Sequence, residues 1–214
     1  RSNLHHDEIT IAQYFAKAGY RTGMMGKWHL GDNAPCRPQD MGFQDVVWHK
    51  GGGIGQAPDY YGNDYFDDTY ERHRKGITKF EKFKGYCTDV FFEESIRFIE
   101  ENKENPFLLY ISTNAPHSPY RVDKKWVTPY RNKVKWKFGA EFYGMITNFD
   151  HNLGLLRQKL DELNLSSYSI LVFLTDNGSA KGGREKPNVD EFHGFSAGMR
   201  GQKSTIFEGG HRVP

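Results

Sequence analysis

The chain has 214 residues, with 29 basic and 27 acidic side chains and a formal net charge of +2. That length can bury a sizeable core and is read most simply as one domain. The near balance of charge gives no reason to expect a nucleic-acid partner, two cysteines (Cys36 and Cys87, joined in one bridge or none) are too few for a disulfide scaffold, and no apolar run approaches the length of a membrane span.

The first predicted element is a short helix from Asp7 or Thr10 to Ala18. Ile11, Phe15 and Ala18 recur at helical spacing, and Gly19 stands where a C-cap glycine belongs. "YRTGMMGKWHLG" reads as a strand running into a loop. Residues 31–85 show little periodicity and hold "KGGGIGQAPDYYGNDYFDDTY", so they read as a loop-rich surface excursion or insertion. A helix from Thr88 to Glu101 follows, with Phe92, Ile96 and Ile99 on one stripe. "PFLLYIST" from Pro106 suits a buried parallel strand.

The stretch Arg121–Lys137 carries seven Lys or Arg and one Asp, interleaved with Trp126, Tyr130 and Trp136. A solvated surface is the default reading; a rim attracting a sulfated polymer is the other. A long helix is predicted over Ala140–Leu163, then a second apolar strand over Ser169–Leu174. The remainder is glycine-rich, with a short element near Gln202. This alternation predicts an α/β fold in which helices flank a mostly parallel sheet. Ligands then bind beyond the carboxyl ends of the strands.

Three clusters fit that rule. Lys27 and His29 stand two apart, so an extended backbone would put them on one face. A cation beside an imidazole suits an anionic substrate; the competing reading is a surface lysine beside a packed histidine. His117 lies in "APHSP", where Pro116 and Pro119 restrict the backbone and so aim the ring; an ordinary turn is the alternative. Asp176 and Asn177 supply hard oxygen donors that suit Ca²⁺ or Mg²⁺ rather than zinc, though Asn-Gly is also a common turn. Lys203, in "MRGQKSTIFEGGHRVP", can meet an anion held near Asp176; taken alone, a solvated lysine near a helix start is the favoured reading. His49, before "KGGGIG", can reach the pocket from the excursion. "GGGIG" lacks the Lys and Ser or Thr of a phosphate loop and takes no nucleotide role.

Taken together, these motifs resemble the sulfatases. "GYRTGMMGKWHLG" is similar to the family's second signature, and "APHSP" to its substrate-histidine segment. "FLTDNG" is similar to its metal-binding segment, and "RGQKSTIFEGGHRVP" to its closing lysine motif. The order and approximate spacing agree across almost the whole chain. The resemblance implies an alkaline-phosphatase-like fold, hydrolysis of aryl or carbohydrate sulfate monoesters, Ca²⁺ in preference to Mg²⁺, and a formylglycine nucleophile made from Cys or Ser.

By the same resemblance, Asp176 and Asn177 are metal ligands, while Lys27 and Lys203 hold sulfate oxygens. His29 steadies the formylglycine hydrate or helps release sulfate. His117 is the acid that protonates the leaving alcohol, and His49 contributes to substrate binding. The family's Cys/Ser-x-Pro-x-Arg segment does not occur in this sequence, and neither do the paired aspartates of its first strand. Residues 1–214 are therefore expected to be the middle portion of one catalytic domain, inactive alone, from a parent that works in the periplasm, outside the cell or in the lysosome. Its partner would be a sulfated small molecule or carbohydrate. The alternatives are a phosphatase, phosphodiesterase or phosphonate hydrolase of the same superfamily, or a non-catalytic homologue that binds sulfated ligands.

Overall fold

The structure, a computed structural model, describes residues 3–5, 7–56, 61–134, 137–180 and 197–213. Helix α1 (Ile11–Lys17) starts at Thr10 through a capping box. The Thr10 hydroxyl accepts from the Gln13 amide at 3.2 Å, and the Gln13 side chain accepts from the Thr10 amide at 2.8 Å. Two otherwise orphaned amide donors are satisfied in this way. Strand β1 (Arg21–Lys27) then enters the interior of a five-stranded sheet of order β4-β3-β2-β1-β5. The others are β2 (Asp45–His49), β3 (Thr69–Arg74), β4 (Ile77–Lys82) and β5 (Phe107–Ser112).

β1 runs parallel to both β2 and β5, while β2/β3 and β3/β4 are antiparallel. The α/β architecture is as expected, but the sheet is mixed, its parallel half lying on the β5 side. Helices α2 (Cys87–Asn102) and α4 (Gly139–Glu162) pack together on one face, while α1 covers the other. The strand period of two sorts the side chains between these layers. Met24, Val46 and Trp48 join Ala12 of α1, whereas Met25 and Val47 join Phe91 and Phe98 of α2. Near the strand's end, Gly26 has φ +120°, and a Cβ there would collide with the Ser112 carbonyl of β5. Only glycine lets β1 and β5 stay paired through this position, opposite Ser112.

Two expectations need correction. The 31–85 stretch is not simply an excursion, because β2, β3 and β4 lie within it and β2 is buried along its whole length. A strand covered on both faces does not alternate, so its period is hidden. The charges of β3 disguise it further, because they are consumed in ion pairs. Arg72 meets Glu94 at 2.5 Å and Glu81 at 3.1 Å, and Arg97 of α2 reaches Asp45 at 2.9 Å.

The second correction concerns Ser169–Leu174, which is not in the sheet. Ile170, Leu171, Val172, Phe173 and Leu174 are between 51% and 93% exposed. An apolar run becomes a strand only by pairing its backbone, and among the described residues it has no ladder partner. The edge of β5 away from β1 has none either. The Phe173 ring lies 6.0 Å from that of Phe149 on α4.

Candidate active site

Lys27 is the last residue of β1 and His49 the last of β2, while His29 and His117 stand in the segments that follow β1 and β5. Lys27 ends β1, opposite His49 of β2 in the register, and its carbonyl accepts the Ser112 hydroxyl of β5 at 2.5 Å. Lys27 is half-buried. Burial holds its proton affinity below the usual lysine range, the Asp176 carboxylate opposes that shift, and the Lys203 cation adds to it. These three charges therefore share one electrostatic neighbourhood, although Asp176 and Lys203 stand far from Lys27 in sequence.

Backbone contacts build the Asp176 side of this group. The Lys203 amide donates to the Ser179 carbonyl at 2.9 Å and the Gly178 amide to the Gly210 carbonyl at 3.1 Å. Gly210 lies in the short helix α5 (Glu208–His211). A Cβ at Gly178 would strike the Gly209 carbonyl, so the Asp-Asn-Gly turn seats against the Lys203 segment only as glycine.

His29 departs from the sequence argument. β1 ends at Lys27, and His29 has φ +61°, so the two side chains do not share a strand face. Instead the chain turns His29 towards the glycine loop. A Cβ on Gly52 would lie 2.9 Å from its Nε2. His49 also differs from expectation. It closes β2 rather than riding a surface loop, is only 2% exposed, and its ring lies 6.2 Å from that of Phe91. It lines a cavity of about 90 Å³ with Trp48, Lys50, Tyr61, Glu71 and Phe80. There Lys50 and Glu71 already neutralise each other at 3.2 Å.

His117 follows β5 in a turn closed by its own amide donating to the Asn114 carbonyl at 2.8 Å. Its Nδ1 is enclosed by the Gln56 amide nitrogen at 2.7 Å and the Ser118 carbonyl at 2.8 Å. Whichever tautomer the ring takes, Nε2 is the nitrogen left to meet a ligand. Buried Asn114 locks the turn to the glycine loop. It accepts from the Ile54 amide at 3.1 Å and donates to the Tyr65 hydroxyl at 2.7 Å, and that hydroxyl in turn donates to the His117 carbonyl at 3.4 Å. Gln56, Asn114 and Tyr65 were missed by sequence reasoning. Their one signal was the glycine run, which marks close approach of backbones.

Asp176 and Asn177 have the hard-oxygen chemistry of a Ca²⁺ shell. The Asn177 amide nitrogen bonds the Gly178 carbonyl at 2.9 Å, which leaves the side-chain oxygen as the atom able to ligate. Two such residues are part of a shell of six to eight. Among the described residues, no three His, Cys, Asp or Glu stand together as a metal group. Neither cysteine fits a nucleophile. Cys36 is buried and its thiol donates to the Leu4 carbonyl at 3.3 Å, while burial pushes the Cys87 thiol up to about 12. Both are free thiols.

A sequence model of the sulfatase family matches residues 2–214, and the chain belongs to that family. It is 29% identical to an arylsulfatase of Hemicentrotus pulcherrimus over all of this chain and 38% of that protein. It is 27% identical to an arylsulfatase of Klebsiella aerogenes over 79% of this chain and 47% of that protein. The human N-acetylgalactosamine-6-sulfatase is 27% identical over 97% of this chain and 38% of its own length. The chain thus spans less than half of each of these curated relatives. Among solved structures, Ps i-CgsB in complex with k-i-k-neocarrahexaose superposes with a TM-score of 0.81 at 27% identity, over all of this chain and 48% of that one. The sulfatase PsFucS1 from Pseudoalteromonas sp. shares the fold, with a TM-score of 0.74 at 21% identity, over all of this chain and 47% of that one.

Proposed function

We propose that the protein containing this sulfatase-family chain hydrolyses sulfate monoesters, and that these residues supply the cations and the proton donor of its site. The observation that carries the reading is the electrostatic grouping of Lys27, Lys203 and Asp176 at the end of β1, with His117 following the adjacent strand β5. Two ammonium groups near one carboxylate leave an excess positive charge suited to a sulfate, and they are already in place before the ligand arrives. Lys27 and Lys203 hold sulfate oxygens. His117 presents Nε2–H to the ester oxygen and gives up that proton as the leaving alcohol departs. His29, turned onto the glycine loop, assists sulfate release, and His49 supports Lys27 from the neighbouring strand rather than touching substrate.

Asp176 and Asn177 would hold Ca²⁺ with further oxygen donors; when bound, the cation supplies charge neutralisation at the sulfate. The formylglycine nucleophile of the family is not among these residues. A phosphate monoester presents the same tetrahedral anion. The curated relatives named above favour sulfate, because each carries sulfatase in its name. A carbohydrate sulfate is the preferred substrate class, since Ps i-CgsB was solved in complex with k-i-k-neocarrahexaose and a curated relative is an N-acetylgalactosamine-6-sulfatase. The test is release of inorganic sulfate by the full-length protein, with and without Ca²⁺. Release that survives the change His117→Ala unaltered on a sugar sulfate would reject the assigned roles.

A further inference from the structure

The basic segment after His117 is not used by the chemistry above. Arg121, Lys124, Lys125, Arg131 and Lys133 are all exposed, and Asp123 is the one acid between them. No described carboxylate pairs with any of the five, unlike the arginines of β3 and α2. In a chain whose charges nearly cancel overall, such an uncompensated run produces a local positive field.

The segment is also held firmly. Helix α3 (Lys124–Val127) continues into a 3₁₀ turn (Thr128–Tyr130) packed on α4. The Tyr130 hydroxyl bonds the Thr147 hydroxyl at 2.6 Å, its ring lies 5.6 Å from that of Tyr143, and the Trp126 ring lies 5.2 Å from His151. Aromatic side chains thus anchor the inner face, so the cations face solvent. Trp136 lies outside the described residues.

The segment begins at the site itself. Tyr65, whose hydroxyl bonds the His117 carbonyl, is pushed up by burial, and the Arg121 cation acts against that shift. Arg121 is therefore within electrostatic reach of the His117 turn, and the remaining cations follow it in the chain.

We infer that residues 121–133 form a binding strip for a polyanionic carbohydrate chain, extending from the His117 turn and engaging sulfate groups other than the one being hydrolysed. The inference rests on the sulfate-ester reading and narrows it. A monoanionic aryl sulfate fills only the Lys27–Lys203 site. A multiply sulfated polysaccharide carries charges at successive sugars and can meet several cations at once, with counterion release adding affinity.

The experiment measures binding of the full-length protein to dextran sulfate and to unsulfated dextran across a salt series. Turnover of 4-nitrophenyl sulfate is measured in parallel. The variant Lys124→Gln/Lys125→Gln/Lys133→Gln should weaken dextran sulfate binding at least tenfold. It should also lower the slope of log affinity against log salt by about one per cation removed. Its 4-nitrophenyl sulfate turnover should stay within twofold of wild type. Lys124→Glu alone should weaken polymer binding in the same direction, which guards against misfolding of the triple variant. Unchanged affinity and slope in both variants would overturn the strip, as would equal affinity of the wild type for dextran and dextran sulfate. A protein that turns over no sulfate ester would sink the enzymatic reading while the binding series still decides the strip.

Discussion

Gln56 offers the sharpest way to probe His117. Its amide lies 2.7 Å from Nδ1 of a half-buried ring, and the Ser118 carbonyl lies 2.8 Å from the same atom. Changing Gln56 to Leu removes one of two contacts that fix the ring while leaving the fold intact, because Gln56 itself is exposed. A hydrogen bond of this kind is worth about 1 kcal/mol net, which corresponds to roughly a fivefold change in rate. The loss should fall where proton donation matters. With a sugar sulfate, whose alcohol leaves poorly without a proton, kcat should drop about fivefold at constant KM. With 4-nitrophenyl sulfate, whose phenolate leaves unaided, kcat should hardly change. The assay is steady-state sulfate release from both esters by the full-length protein. An equal fall on both esters, or a change confined to KM, would refute the role given to His117 Nε2.

Other perturbations test separate parts of the account. Lys27 has its proton affinity lowered by burial. Its cation is therefore present at low and neutral pH and lost earlier than that of an ordinary lysine as pH rises, so KM for a sulfate ester should climb on the alkaline side below the usual lysine range. Lys27→Arg should push that rise to higher pH, and an unmoved KM profile would count against Lys27 as an anion ligand. In the α2–α4 contact, Asp89 accepts from both Asn148 and Asn152 at 2.7 Å. Asp89→Ala strands two buried amides and should cost about 2 kcal/mol in a denaturant melt. The exposed run from Ile170 to Leu174 should make the isolated chain bind a hydrophobic dye and self-associate in light scattering. Val172→Lys should relieve both effects there, whereas if the rest of the protein covers the run, the same change should destabilise the full-length form by about 2 kcal/mol.

The parts of the fold that could be read from sequence were those whose signals are local. Thr10, Gln13 and Gly19 mark the ends of α1 by chemistry that acts within four residues. "FLLYIS" is a strand because it pairs with β1. "ILVFL" carries the same apolar signal and is not a strand, because pairing is a property of two segments and its partner is absent from the described residues. β2 escaped notice because "DVVWH" is buried on both faces and follows no period. At the site, Lys27, Lys203 and Asp176 could be proposed from sequence because each stands in a recognisable motif. Gln56 and Asn114 were not, since their roles depend on the fold bringing the glycine loop against the turn after β5. His29 was misjudged for one backbone angle, as a residue with φ +61° ends the strand geometry on which the same-face argument relied.

The central claim is that this site acts on sulfate rather than phosphate and does so through the charges grouped at the strand ends. The most direct measurement is product release by the full-length protein from two esters that share a leaving group, 4-nitrophenyl sulfate and 4-nitrophenyl phosphate, in wild type and in Lys203→Ala. The account predicts that sulfate release dominates and that Lys203→Ala lowers its kcat/KM by at least tenfold. Preferential release of phosphate, or sulfate release indifferent to Lys203, would contradict it.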